Sequence, residues 1–310
     1  MVSKAVKAHF ALFFAGCMWG LLAPVGKAAM EAGVTSISLA SMRMIGAAIC
    51  FWIASLFAPK EKVSKRDLFL LFLAGLLCIA FNVGLFTIGL SLTSPVDSTI
   101  ITTSTPILTM LFAALFLREP ITSMKVFGVF LGAAGALILI FSNNEGSEIS
   151  GSIWGDIICF LAQVSFALYL TLFKGLISRY SVLTLMKWMF TYSAVCISLV
   201  SFRDMSNMAS QTFPVQVWLE VGYVVFFGTF IAYVLVLIGQ KALRPTVVSM
   251  YNYIQPVVAT IVAVLIGMGT FGWIKALASA LIFAGVYVVT QSKSREQMLK
   301  DEIKKNESVK

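Results

Sequence analysis

Two proline-centred polar clusters and two cations inside apolar segments hold most of the chemistry that this chain can offer. In the stretch 95–125, PVDSTIITTSTPILTMLFAALFLREPITSMK, Pro106 sits in the middle of an apolar run. A proline inside a helix deprives the carbonyl four residues back of its donor, and here that carbonyl belongs to Thr102. Thr105 lies three residues from Thr102, so the two share a helix face. The arrangement returns 150 positions later, where Pro256 frees the carbonyl of Asn252 and Gln255 takes the place of Thr105. Tyr251 adds an aromatic surface one turn from Gln255. Loosened carbonyls beside hydroxyl and amide groups at mid-membrane depth can hold a small solute. They can equally bind helices to one another, and both readings stay open.

The cations are Arg43 and Lys187. A charge within a membrane span costs about 3 kcal/mol or more, so it faces a cavity or a partner. Arg43 lies about seven residues into its span, roughly 10 Å deep at the helical rise, and Lys187 lies a similar distance from the other side. Met42-Arg43-Met44 and Met186-Lys187-Trp188 occupy the same place in the two halves of the chain, and no acid sits equally deep, since Asp97, Asp156 and Glu220 fall at span ends. Three partners are open to these cations: helix carbonyls, a polar network, or an anionic group on a substrate. Snorkelling to the interface is the alternative, for Lys187 above all. Trp19, in CMWGLLAP just before Pro24, and the mid-span Asn82, Gln163, Tyr169, Tyr192 and Tyr233 complete the candidates. A lone tyrosine in a span is often a packing residue with one satisfied hydroxyl.

No reaction chemistry is legible. The chain lacks a Ser/His/Asp set, HExxH, a P-loop lysine motif and paired deep carboxylates. Its five cysteines (Cys17, Cys50, Cys78, Cys159, Cys196) lie in apolar segments without metal-ligand spacing, and His9 is the only histidine. The expectation is therefore a protein that is not an enzyme and needs no cofactor or metal.

The elements that position these residues must be membrane helices. Of 310 residues 59% are hydrophobic and only 12% charged, and the mean hydropathy is +0.92, which only a bilayer can solvate. Helices of about 20 apolar residues are expected at 9–29, 36–57, 68–91, 95–117, 124–142, 153–174, 182–202, 215–239, 246–267 and 273–291. The net charge of +9 is a loop and tail feature. Lysines and arginines collect on one side, leaving only Lys27, Arg203 and Lys275 on the other, so both termini are expected in the cytoplasm and no nucleic-acid partner is implied. The 150-residue offset also pairs Pro95 with Pro245, Lys125 with Lys275, Gly89 with Gly239, Leu85 with Leu235 and Gly135 with Gly285. The chain is thus an internal duplication. Five spans per copy is odd, so the second copy is inverted, the geometry of alternating access. The fold expected is an all-α integral membrane protein of ten transmembrane helices in two inverted five-helix repeats. Its units are 1–145, 146–292 and a charged cytoplasmic tail, 293–310, able to touch lipid headgroups or merely to solubilise the chain. The run LGAAGAL at 131–137, with Gly128 and Gly132, reads as a helix–helix contact or a homodimer face.

Ten spans in inverted repeats, WG and a proline in span one, and P-x12-E at 106–119 together resemble the EamA-type branch of the drug/metabolite transporters over residues 9 to 291. The resemblance implies a carrier in a bacterial-type plasma membrane, exporting amino acids or related metabolites, with a central cavity lined by spans one to four and six to nine. Mapped here, it makes Trp19, Arg43, Asn82, Thr102 and Thr105 candidate substrate contacts, with Lys187, Tyr233, Tyr251, Asn252 and Gln255 as their counterparts. Pro24, Pro106 and Pro256 become helix kinks. The chain departs from the pattern in three places. Gly269 stands where the family often has a second acid to match Glu119, Phe166 stands where span one has Trp19, and Thr171 where it has Pro24. Multidrug efflux is the alternative within transport, supported by 14 methionines and 13% aromatics. A non-transporting membrane protein is the alternative outside it.

Overall fold

The architecture was analysed in a computed structural model that describes residues 4–143, 152–265, 272–293 and residue 298. Ten helical passes appear: α1 (Lys4–Gly20 continued by Leu22–Glu31), α2 (Ser36–Leu56), α3 (Lys65–Leu92), α4 (Pro95–Leu117) and α5 (Ser123–Asn143) form the first half. The second half comprises α6 (Ile153–Leu172), α7 (Val182–Ala209), α8 (Val215–Ala242), α9 (Pro245–Met250, Tyr251–Tyr253 and Ile254–Leu265) and α10 (Trp273–Gln291). The expected boundary near residue 145, Gly269 and nearly all of the tail lie outside the described residues. Below, the end of the bundle where α1 begins is called the near end and the opposite one the far end.

Local sequence sets most helix limits. Ser64, Ser94, Thr35 and Ser181 each cap a helix by accepting from a backbone amide three residues on. Pro95 and Pro245 open their helices at the first turn, where a missing N–H costs nothing. α7 runs to Ala209 rather than to residue 202, because 203–209 contain neither glycine nor proline and the helix continues into water. Each internal break sits just before a proline. α1 loosens at Leu21 ahead of Pro24, α4 at Thr103–Ser104 ahead of Pro106, and α9 tightens to a 3-10 turn at Tyr251–Tyr253 ahead of Pro256. One further irregularity was not expected. α3 widens into a π-helical turn at Leu76–Phe81 and α8 does the same at Phe226–Ile231, again 150 residues apart.

The two halves are packed into one another. α1 lies on α8 and α9, and correspondingly α6 lies on α3 and α4. α2 packs on its counterpart α7, and α5 on its counterpart α10. Exchanging the halves maps this contact list onto itself, as a pseudo-two-fold pair of inverted repeats requires. Large apolar side chains such as Leu56, Leu199, Phe202 and Leu265 point outward and are exposed, the surface that a hydrocarbon core solvates.

Close approach at glycines joins the halves. A Cβ at Gly16 would lie 3.0 Å from Tyr251 O, one at Gly20 2.9 Å from Gln255 O, and one at Gly239 2.4 Å from Leu12 Cγ. Gly128 and Gly135 face α10, where Gly285 comes so near that its Cβ would sit 2.6 Å from Gly128 O, and Gly132 receives the ring of Tyr253. Of the two readings of that small-residue run, the structure realises the intramolecular one. The face proposed for a homodimer is covered by α10 and α9 of the same chain. Gly285→Val is expected to push α10 off α5 and cost about 1–3 kcal/mol, read as a lowered unfolding temperature of the purified protein in detergent.

Candidate functional site

At the centre of the bundle a cavity of about 50 Å³ opens between the halves. Trp19, Leu22, Arg43, Asn82, Val83, Phe86 and Thr102 line it from the first half; Gln163, Phe166, Tyr233, Asn252 and Gln255 line it from the second. Seven of the ten sequence candidates therefore converge here.

Arg43 is the only charged side chain among the described lining residues. It is 4% exposed, and α2 sends it across to both halves. Its Nε donates to Thr229 Oγ1 of α8 at 3.0 Å and its Nη1 to Thr87 Oγ1 of α3 at 3.2 Å. Thr229 belongs to the π turn of α8 and donates to Val224 O, five residues back. Among the described residues no carboxylate pairs with the guanidinium. The three ion pairs among the described residues are Lys125–Glu119, Lys174–Glu119 and Arg179–Asp67, all at the near end.

The π turns explain the aromatic wall. Such a turn replaces i→i+4 bonding and exposes carbonyls. Trp19 Nε1 donates to Gly228 O in the second turn at 3.1 Å, and the Tyr233 hydroxyl lies 3.3 Å from Cys78 O, the equivalent carbonyl of the first. Ser165 of α6 donates to Leu77 O beside it. These donors hold Trp19 edge-on to both Phe166 and Tyr233, with ring centroids 6.0 and 5.7 Å away. Asn82 Nδ2 donates to Ala162 O, while its Oδ1 lies 3.3 Å from the Tyr233 hydroxyl. The indole and the phenol are thus fixed by backbone groups that regular helices would have kept.

The proline clusters divide. Thr102 and Asn252 reach the cavity, as does Gln255, whose Nε2 lies 3.4 Å from Asn252 Oδ1. Thr105 stays behind the wall, with its Oγ1 2.8 Å from Gln163 Oε1 and 2.8 Å from Thr102 O. It holds a lining amide without itself lining. Tyr251 faces a smaller space on the near side of Trp19 and Asn252, where its hydroxyl lies 2.6 Å from His9 Nδ1.

Lys187 is not in the cavity. Its ammonium lies over the indole of Trp52, 4.7 Å from the ring centroid, at a level where α7 faces α2 and the same indole donates to Thr191 Oγ1. Tyr192 stacks on Trp188 beside it. Tyr169 lies toward the near end, donating to Gln240 Oε1 at 2.9 Å. Beyond it the halves are tied together: Asp67 accepts from Arg179 at 2.9 Å and from Tyr180 at 2.7 Å, and Glu61 accepts from the Ser181 amide. At the far end Lys27 donates to the carbonyls of Leu90, Ser91 and Thr93, where a cation meets the negative pole of α3.

Sequence reasoning left out Thr87 and Thr229, the two acceptors of Arg43, and the walls Leu22, Val83 and Phe86. Threonines that bond back to their own helix are indistinguishable in sequence from those that serve a neighbour. Thr229→Val is expected to strip the guanidinium of one acceptor and destabilise the protein by about 1.5–3 kcal/mol, measured as a lowered unfolding temperature, with Thr229→Ser close to the parent.

The comparisons with known proteins agree with this architecture. The profile of the EamA-like transporter family matches residues 6–141 and again 153–291. The uncharacterized transporter YyaM of Bacillus subtilis (strain 168) is 26% identical over 247 residues, covering 77% of this chain and 80% of its own. The uncharacterized inner membrane transporter YedA of Escherichia coli (strain K12) is 25% identical over 286 residues, covering 91% and 90%. A crystal structure of a protein 19% identical in sequence superposes with a TM-score of 0.73, over 93% of this chain and 97% of that one, and shares the fold. With two family matches, one on each five-helix half, this multi-pass membrane protein belongs to the EamA-like transporter family.

Proposed function

We propose that the chain is a secondary exporter of small metabolites of the amino-acid kind, which bind in the central cavity through an anionic group held by Arg43. The observation that carries this reading is a cation buried at the junction of the halves, bonded to two neutral hydroxyls and facing an empty space. Guanidinium N–H groups left over after Thr87 and Thr229 suit a carboxylate. Trp19, Phe166 and Tyr233 supply apolar walls, and the amides of Gln163, Asn252 and Gln255 supply orienting polar groups. An inner-membrane relative and the clustering of lysines and arginines at the near end support placement in a bacterial inner membrane with both termini in the cytoplasm. On that placement the near-end ties close the cytoplasmic side, and alternating access requires them to part while the far end closes.

Multidrug efflux keeps one supporting observation, the aromatic wall. Its other support falls away, since no methionine among the described residues lines the cavity. Counterflow in proteoliposomes separates the two readings. With amino acids and nucleosides preloaded as separate pools, labelled substrate is expected to accumulate from the amino-acid pool. Arg43→Ala is expected to reduce that accumulation to the level of protein-free vesicles while the protein stays folded; an undiminished rate removes Arg43 from the mechanism.

The closure reading has its own test. With the five natural cysteines replaced and thiols introduced by Asp67→Cys and Arg179→Cys, a bifunctional thiol reagent is expected to abolish counterflow. A reducible reagent is expected to restore it on reduction.

A further inference from the structure

We propose that, among solutes of the amino-acid kind and their relatives, the cavity favours those of single net negative charge over zwitterions and moves them chiefly by exchange, a refinement that rests on the transport reading above. The geometry is a charge count. Arg43 is permanently protonated, 4% exposed, and compensated only by the hydroxyl dipoles of Thr87 and Thr229. No acid lines the cavity among the described residues. Carboxylates at the ends of the bundle have partners of their own: Asp67 with Arg179 and Tyr180, Glu119 with Lys125, Asp97 with Ser94, and Asp156 with Thr93.

Two consequences follow. A zwitterion would bring its own ammonium into a space already holding a guanidinium, with only amides and ring faces to receive it. A monoanion makes a neutral pair instead. The empty carrier, moreover, must carry a guanidinium solvated by two hydroxyls alone through an occluded state within the membrane. On the insertion cost of an arginine that return step is up to about 100-fold slower than the return of the neutral pair. A carrier whose empty form turns over so slowly exchanges one anion for another and leaks little.

The test uses the full chain in proteoliposomes with two matched pairs of labelled probes: phenylpyruvate against phenylalanine, and pyruvate against alanine. Each pair shares a carboxylate and a side chain and differs in the ammonium. Vesicles loaded with one probe are diluted into buffer with or without the same unlabelled compound. The 2-oxo acids are expected to leave at least about tenfold faster than their amino-acid partners. Omitting the external anion is expected to slow them, by up to about 100-fold, and Arg43→Gln is expected to remove the preference for the anion. Faster movement of the amino acids, or efflux unaffected by an empty external side, overturns anion exchange and leaves the carrier standing. No movement of either pair, from protein that unfolds at the parent temperature, also overturns it. The counterflow pools then decide separately whether transport itself survives.

Discussion

A guanidinium held inside the hydrocarbon core is the constraint around which the rest of this structure is arranged. Water solvates such a charge freely; at mid-membrane it must be solvated by the protein. A carboxylate would do this at the cost of neutralising the site. Here Arg43 reaches instead from α2 to a threonine on each half of the molecule. Hydroxyl dipoles lower the cost of burial without cancelling the charge. The same choice ties the two halves together at the centre of the bundle.

The π turns serve that arrangement. In α8 the turn presents Thr229 to Arg43 and the Gly228 carbonyl to Trp19, and in α3 the equivalent turn presents Cys78 O to Tyr233. The indole of Trp19 and the phenol of Tyr233 are thereby anchored to backbone of the opposite half. The prolines contribute differently. They interrupt α4 and α9 beside Thr102 and Asn252, so that polar backbone is found only where it faces the cavity or a neighbouring helix, as a bilayer demands. Around this polar centre the packing is close. Glycines on α1, α5, α8 and α10 bring backbones within contact distance, which favours rigid bodies that rock against one another.

Both ends of the bundle carry polar ties between the halves, of different kinds. Near-end contacts between halves are ionic and hydrogen-bonded, with Asp67, Glu61 and Glu119 each taking partners from the second half. At the far end Lys27 satisfies itself on carbonyls of its own half, and the tie between halves is a neutral donor on a carboxylate, Thr93 donating to Asp156 at 2.6 Å. Bonds of the first kind lie in reach of water and can exchange protein partners for solvent at modest cost, a property suited to a closure that opens and reforms.

Much of this was legible in the chain. Hydropathy placed ten helices, the repeated prolines and glycines at a 150-residue offset revealed the duplication, and the odd number of helices per copy implied inversion. Arg43, Trp19, Asn82 and Tyr233 stood out because polar or amphipathic side chains are costly in an apolar segment. What the sequence could not decide was which neighbour each residue meets. Arg43 and Lys187 hold equivalent places in the repeats, yet one faces threonines across a cavity and the other the ring of Trp52. Gly128 and Gly132 carried the pattern of a dimer face, and α10 covers it. The π turns left no local signature, since they arise where two packed helices compete for the same carbonyls. One-dimensional patterns record the energy of placing a residue in lipid or water; the partner it finds depends on the relative rotation of helices far apart in the chain, and only the packed bundle sets that.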